Sequence, residues 1–197
     1  MIAIIDYDAL LALGLESVIT RDFSVLQKAD KVILPGVGAF GQAMHNLKKY
    51  ELDKVIHEVV QMRKPFLGIC LGLQLMFDGS EENEGVEGLH LLEGEILKIP
   101  AAEGLKIPHI GWNSLHLQNH GSLFEGIGEE PYVYFVHSYY LKAKEPSIVK
   151  ATTEYGTCIH ASVEKENVFA CQFHPEKSST VGLKILDNFA KWQGGES

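Results

Sequence analysis

The chain has 197 residues, 46% hydrophobic and 22% charged, which suits one globular domain with a sizeable core and excludes a disordered chain. A net charge of -9 argues against a nucleic-acid or anionic-membrane surface, because both call for clustered Lys and Arg. There is no apolar run of membrane-spanning length and no signal-peptide pattern, and three cysteines (Cys70, Cys158, Cys171) without a CxxC build no disulfide framework, so a cytoplasmic protein with reduced thiols is expected.

Residues 2–5 read as a short buried strand and residues 15–19 as the next. Only residues 6–14 separate them, whereas a parallel crossover with its helix needs about a dozen residues. Residues 10–13 look like the last turn of a helix whose beginning is absent, so a segment omitted near residues 8–10 is favoured over an unusual connection. Residues 31–34 form a further strand, stopped by Pro35-Gly36. From 39 to 63 the apolar period is helical, through Phe40, Met44, Leu47, Leu52, Val55 or Ile56, Val59 and Met62. A strand over 65–69 then feeds a helix over 71–77, and this alternation predicts an α/β fold with a largely parallel sheet.

The acidic segment 81–85 is read as a solvated loop, since its carboxylates lack an ordered ligand spacing. Segments 96–99, 132–140, 148–153, 158–163 and 168–173 are strand-like with turn residues between them, which predicts an antiparallel extension of the sheet. Cys158 and His160 share a strand face, but two ligands without companions make no metal site, and none is expected. Residues 178–192 close the chain as an amphipathic helix with Ser178 or Ser179 as N-cap and Ile185, Phe189 and Trp192 on one face. The whole chain, 1–197, reads as one domain.

Gly68-Ile69-Cys70-Leu71-Gly72 falls where a buried strand turns into a helix, the pattern of a nucleophile elbow. A thiolate there is stabilised by the helix dipole, and the Leu71 N–H can meet a developing oxyanion. Taken alone, the motif is equally consistent with a buried structural cysteine. Phe173-His174-Pro175-Glu176 breaks that tie. An extended backbone would put His174 and Glu176 on one face, where the carboxylate holds one imidazole nitrogen and leaves the other for the thiol proton. Pro35-Gly36-Val37-Gly38, at another strand's C-terminal end, lacks the Walker lysine and the full dinucleotide spacing; Val37 N–H is the candidate second oxyanion donor.

The motifs 34–40, 68–74 and 172–177 together resemble those of the class I (triad) glutamine amidotransferases, and the likeness runs over nearly the whole chain. Pro108-His109-Ile110-Gly111-Trp112-Asn113 and the segment 134–140 are most similar to the glutaminase subunits of imidazole glycerol phosphate synthases. The resemblance implies a three-layer α/β fold and a cofactor-free hydrolysis of L-glutamine to glutamate and ammonia. It implies a heterodimer with a barrel-shaped cyclase subunit, which uses the ammonia in histidine biosynthesis. It also implies a substrate site from Gly36, Gly38, Gln74, Ser138 and Tyr139, and an interface or ammonia exit near Tyr134, Lys177, Trp112, Asn113 and His137, with His137 read equally as a satisfied structural histidine. Tyr132 and Tyr140 are read as strand packing. The chain departs from this family after Asp6-Tyr7, where relatives carry a Gly-x-Gly-Asn-like turn and most of a helix; that leaves the docking face, not the triad, in question. The alternatives are another class I amidotransferase or glutamyl hydrolase, against which residues 108–113 and 134–140 argue, and a non-catalytic regulatory subunit on this fold.

Overall fold

The computed structural model describes residues 1–4 and 17–194, and the segment expected to be incomplete near residues 8–10 lies outside them. A strand that is apolar at every position must be covered on both faces. Phe66–Cys70 (β4) is such a strand, buried throughout, and it runs mid-sheet. On one side lie β3 (Lys31–Gly36), β1 (Ile2–Ile4) and β2 (Ser17–Ile19), and on the other β13 (Val168–Cys171), all parallel. Beyond β13 the sheet turns antiparallel through β12 (Cys158–Lys165), β11 (Val149–Glu154) and β8 (His116–Leu117), the extension expected from the sequence.

The strand period of two divides the core into two layers. Ala3, Val32, Leu34, Phe66 and Ala170 face one side, packed with residues of α2 (Phe40–Lys49), α3 (Leu52–Gln61) and α4 (Leu71–Leu75). Ile2, Ile4, Ile33, Leu67, Ile69 and Phe169 face the other, against Ile185, Leu186 and Phe189 of α5 (Ser179–Lys191). The result is a three-layer α/β sandwich.

Several boundaries differ from the sequence expectation, each for a local reason. The single helical stretch over 39–63 is two helices, α2 and α3, because Glu51 takes a left-handed φ of 55°. The step from Leu47 to Leu52 already breaks the three-or-four spacing. Met62, expected on the buried face, falls at the C-cap of α3 and is exposed. β3 runs through Pro35-Gly36 rather than stopping there, in parallel register with Ile69 and Cys70 of β4. The short α1 (Phe23–Lys28), capped by Asp22 accepting from the Ser24 and Val25 N–H groups, is too brief to register as a period. Segment 132–140 splits at Ser138 into β9 (Tyr132–His137) and β10 (Tyr139–Ala143). β9 pairs with β7 (His109–Ser114), while β10 joins β6 (Gly94–Lys98) and β5 (Gly79–Ser80) in a second small sheet. Tyr140 packs as expected, but Tyr132 stands exposed at the start of β9.

Packing is very tight at the turn from β4 into α4. A Cβ on Gly72 would lie 1.8 Å from the Leu34 carbonyl oxygen, and one on Gly68 would lie 2.3 Å from Met76 Sδ. Helix and sheet therefore meet backbone to backbone, with no side chain able to yield at Gly72. Gly72→Ala is expected to cost ~2 kcal/mol or more, read as a lower urea midpoint. Gly128→Ala, where a Cβ meets nothing within 4 Å, should stay within ~0.5 kcal/mol of the parent. Equal midpoints for the two variants would contradict this account.

Candidate active site

Cys70 sits at the hinge of that turn with φ 54° and ψ -111°, a region that side-chain-bearing residues avoid. The strained turn lifts its thiol out of the sheet at the first turn of α4, where leading N–H groups have no intrahelical partner. The side chain is nearly buried, with Sγ 3.7 Å from the Val136 carbonyl oxygen and 3.8 Å from Gln172 Nε2.

His174 follows β13 and is pinned by its backbone. Its N–H donates to the Tyr134 carbonyl at 2.9 Å, and the Ser178 hydroxyl donates to its carbonyl at 2.6 Å while accepting from Tyr134 N–H at 2.9 Å. Ser178, expected to cap α5, makes no side-chain cap hydrogen bond and ties β9 to the histidine turn instead. His174 Nδ1 lies 2.7 Å from Glu176 Oε1, which leaves Nε2 as the ring nitrogen for the thiol. The expected meeting of these two residues is present, but not through an extended backbone: Pro175–Lys177 forms a 3-10 turn with Pro175 at its start, where a missing N–H is tolerated.

Burial pulls the His174 pKa down, but hydrogen bonds to Cys70 and Glu176, together with their charges, outweigh it and raise it to about 9. The ring is therefore an imidazolium at neutral pH, held between a carboxylate and a sulfur. Cys171 is unsuited to the same role: it is wholly buried, and desolvation followed by the nearby Glu176 and Cys70 drives its thiol pKa far up. Cys70 and His174 open onto a cavity of about 310 Å³, whose wall includes Val37, Gly38, Gln74, Glu82, Ser138 and Tyr139.

Residues 7–192 match the family model described as glutamine amidotransferase class-I. The chain belongs to that family. Among its relatives, the imidazole glycerol phosphate synthase subunit HisH of Aquifex aeolicus is 48% identical over 93% of this chain and 88% of its own. The subunit of that name from Methanocaldococcus jannaschii is 46% identical over 97% and 99% of the two chains. The glutaminase domain of Trypanosoma brucei CTPS shares the fold, with a TM-score of 0.65 at 17% identity over 98% of this chain and 94% of that one.

In this amidotransferase the residues expected at the site divide into three groups. Val37, Gly38, Leu71, Gln74, Ser138, Tyr139 and Lys177 all border the Cys70 cavity. Val37 is 71% exposed and Gly38 has φ 95°, so the loop entering α2 carries one conformation that only glycine takes without strain. Gln74 Nε2 donates to the Tyr139 carbonyl and to Gln172 Oε1, both at 3.1 Å.

Gly36, His137 and Asn113 have surroundings other than a substrate contact or an exposed partner face. Gly36 is a packing glycine, since a Cβ there would come within 2.9 Å of Leu71 Cβ, and it borders an adjoining cavity of about 510 Å³ instead. His137, expected either at a partner face or as a satisfied structural histidine, is the latter: it is 5% exposed with both ring nitrogens hydrogen-bonded, and it borders the Cys70 cavity. Asn113 is half-buried and donates to the Glu154 carbonyl at 3.1 Å.

The remaining residues lie on a partly exposed ribbon. Trp112 is paired with Tyr134 across β7 and β9, rings edge to face at 6.1 Å, and Ile110 and Tyr132 extend the exposed apolar surface. The acidic segment corrects another expectation. Glu82 Oε2 accepts the Phe40 N–H and Asn83 Oδ1 the Gly41 N–H, both at 2.8 Å, so together they cap α2 from a distant loop. Glu82 also borders the Cys70 cavity, a role with no local sequence signal.

A raised histidine pKa keeps the charged form to higher pH. The kcat/KM for glutamine should therefore hold through neutrality and fall as pH passes about 9. Glu176→Gln removes one stabilising charge and should move that alkaline limb to lower pH; an unmoved limb would separate it from His174.

Proposed function

We propose that the chain is the glutaminase subunit of an imidazole glycerol phosphate synthase, with Cys70 as nucleophile, His174 as acid and base and Glu176 as the group that orients it. The observation that carries this reading is Cys70 at the strained elbow beside the His174–Glu176 pair, in a chain 46–48% identical to HisH subunits over nearly its full length.

The Cys70 thiolate attacks the side-chain carbonyl of glutamine, forming a C–S bond and an oxyanion to which the Leu71 and Val37 N–H groups donate. As the C–N bond breaks, His174 gives its proton to the leaving nitrogen and a glutamyl thioester remains. Water, deprotonated by His174, then releases glutamate and returns the thiol. A cavity of about 310 Å³ is of the right order for one amino acid. The Glu82 carboxylate is the group suited to its ammonium, and the backbone at Ser138 and Tyr139 to its carboxylate.

Ammonia released into neutral water would be protonated and lose its nucleophilicity, so the product is useful only if it passes directly to a partner. The exposed Ile110, Trp112 and Tyr132, with the half-buried Tyr134 beside them, supply an apolar face for that partner, the cyclase subunit. The free chain is slow in this reading, because the Val37–Gly38 loop takes its oxyanion-binding form when the partner and its nucleotide ligand are bound. The cysteines are unbridged and the nucleophile must stay reduced, which suits the cytoplasm.

Glutamate release should rise sharply when the cyclase and its nucleotide ligand are added; full turnover by the isolated chain would remove the loop from the mechanism. Cys70→Ala should lose at least ~10³-fold in kcat with partner affinity intact. Trp112→Ala should weaken partner binding by ~1–3 kcal/mol, measured by calorimetry, with the pH profile of hydrolysis unchanged.

A further inference from the structure

Two buried histidines take no part in the chemistry above. His109 opens β7 and His137 ends β9, directly opposite each other in the ladder. Both are nearly inaccessible, and His109 is sandwiched between Tyr155, ring centroids 3.8 Å apart, and Phe135 at 4.7 Å. Their hydrogen bonds form a directed chain. His137 Nδ1 lies 2.8 Å from the Tyr139 carbonyl oxygen, which can only accept, so Nδ1 carries the proton. His137 Nε2 then offers a lone pair to His109 Nδ1 at 3.0 Å, which must donate. His109 Nε2 in turn faces Asn113 Nδ2 at 3.5 Å. A second proton on either ring would set two N–H groups against each other. Desolvation opposes that proton, lowering His137 to about 3 and His109 to about 4.

At its inner end the chain meets the substrate wall. The Tyr139 carbonyl that His137 holds also accepts from Gln74 Nε2; Gln74 bonds Gln172 Oε1, and Gln172 Nε2 reaches Cys70 Sγ at 3.8 Å. Val136, the residue before His137, turns its carbonyl to the same sulfur. At its outer end the chain is built into β7, whose alternate residues Ile110 and Trp112 are exposed. One two-stranded ribbon thus presents an apolar face outward and a row of amide and imidazole groups inward.

We propose that His109 and His137 are positioning residues that link the seating of the β7–β9 ribbon to the alignment of the Tyr139 carbonyl, Gln74, Gln172 and Cys70. The proposal rests on the glutaminase reading and on the ribbon as the partner's face, and it adds the route between them. His109 sets the tautomer of His137, and His137 fixes the carbonyl on which the substrate wall and the glutamine pair converge.

The test is the stimulation of glutamine hydrolysis, as the ratio of kcat in the complex with the cyclase and its nucleotide ligand to kcat of the free chain, for His109→Phe and His109→Asn. Phenylalanine keeps the stacking between Tyr155 and Phe135 and removes the donor; asparagine keeps a donor at the Nδ1 position. The Phe variant should lose at least ~10-fold of the stimulation while the Asn variant stays within ~3-fold of the parent, with equal partner affinity by calorimetry. Parental stimulation in a folded His109→Phe protein, or equal loss in both variants, overturns the proposal. If the Phe variant does not fold, nitrogen-15 NMR of the parent decides: both rings should be neutral and protonated at Nδ1 through pH 6, and an Nε2–H tautomer or an imidazolium at His137 overturns it. A parent complex that hydrolyses no glutamine would instead remove the reading on which the proposal stands.

Discussion

The close approach of α4 to β3 governs the geometry of the site. Where Gly72 meets the Leu34 carbonyl there is room for a hydrogen and nothing larger. Because the helix comes that close, the chain must reverse within a residue of the strand's end. Cys70 takes the unfavourable backbone that the reversal demands. Such strain costs of order 1–3 kcal/mol and persists only where the surroundings over-determine it. Here they do: Gly68 admits Met76 beneath the turn, and Gly36 lets β3 pack against Leu71 and Gly72. The glycines on both strands make the elbow compact, and the compact elbow is what presents the sulfur at a helix N-terminus.

The second constraint is the end of β9. At Ser138 the chain leaves one two-stranded ribbon and enters another sheet, and the residues around that break line the cavity. Backbone freed from a ladder is available to hold other things. The Val136 carbonyl turns toward Cys70, and the Tyr139 carbonyl receives two donors. The ribbon's other anchor is Ser178, which joins Tyr134 to His174. Cys70 and His174 are thus both tied to β9, from opposite directions, although the strands that lead to them lie side by side in the main sheet.

Much of this was legible in the sequence because it is carried by short-range patterns. The uninterrupted apolar run of β4, the helical spacing of Phe40, Met44 and Leu47, and the glycines around Cys70 each reflect a steric requirement within a few residues. What escaped reading depends on contacts between distant segments. Glu82 and Asn83 look like part of a solvated acidic loop until the fold brings them to the first turn of α2. The sequence leaves His137 between a partner face and a structural role, and the pairing that places His109 of β7 opposite it decides for the interior. Ser178 carries a capping signal that the tertiary structure redirects to the Tyr134 N–H and the His174 carbonyl. The break between α2 and α3 was in principle visible, since Leu47 and Leu52 are out of phase for one helix.

The histidines in and behind the cavity wall show how the same side chain is given opposite states over a short distance. Desolvation lowers the pKa of all three, so burial alone would leave each neutral. Only His174 has a carboxylate and a sulfur within hydrogen-bonding reach, and they raise it to about 9, whereas His137, with a carbonyl and a second histidine for partners, falls to about 3. Each state reinforces the other, because a charged His174 further disfavours a proton on His137. Environments that push like groups apart assign their roles. The charged ring can deliver a proton to a leaving amine, while the neutral pair, with one fixed hydrogen each, can hold a carbonyl in place through the reaction without exchanging protons with it.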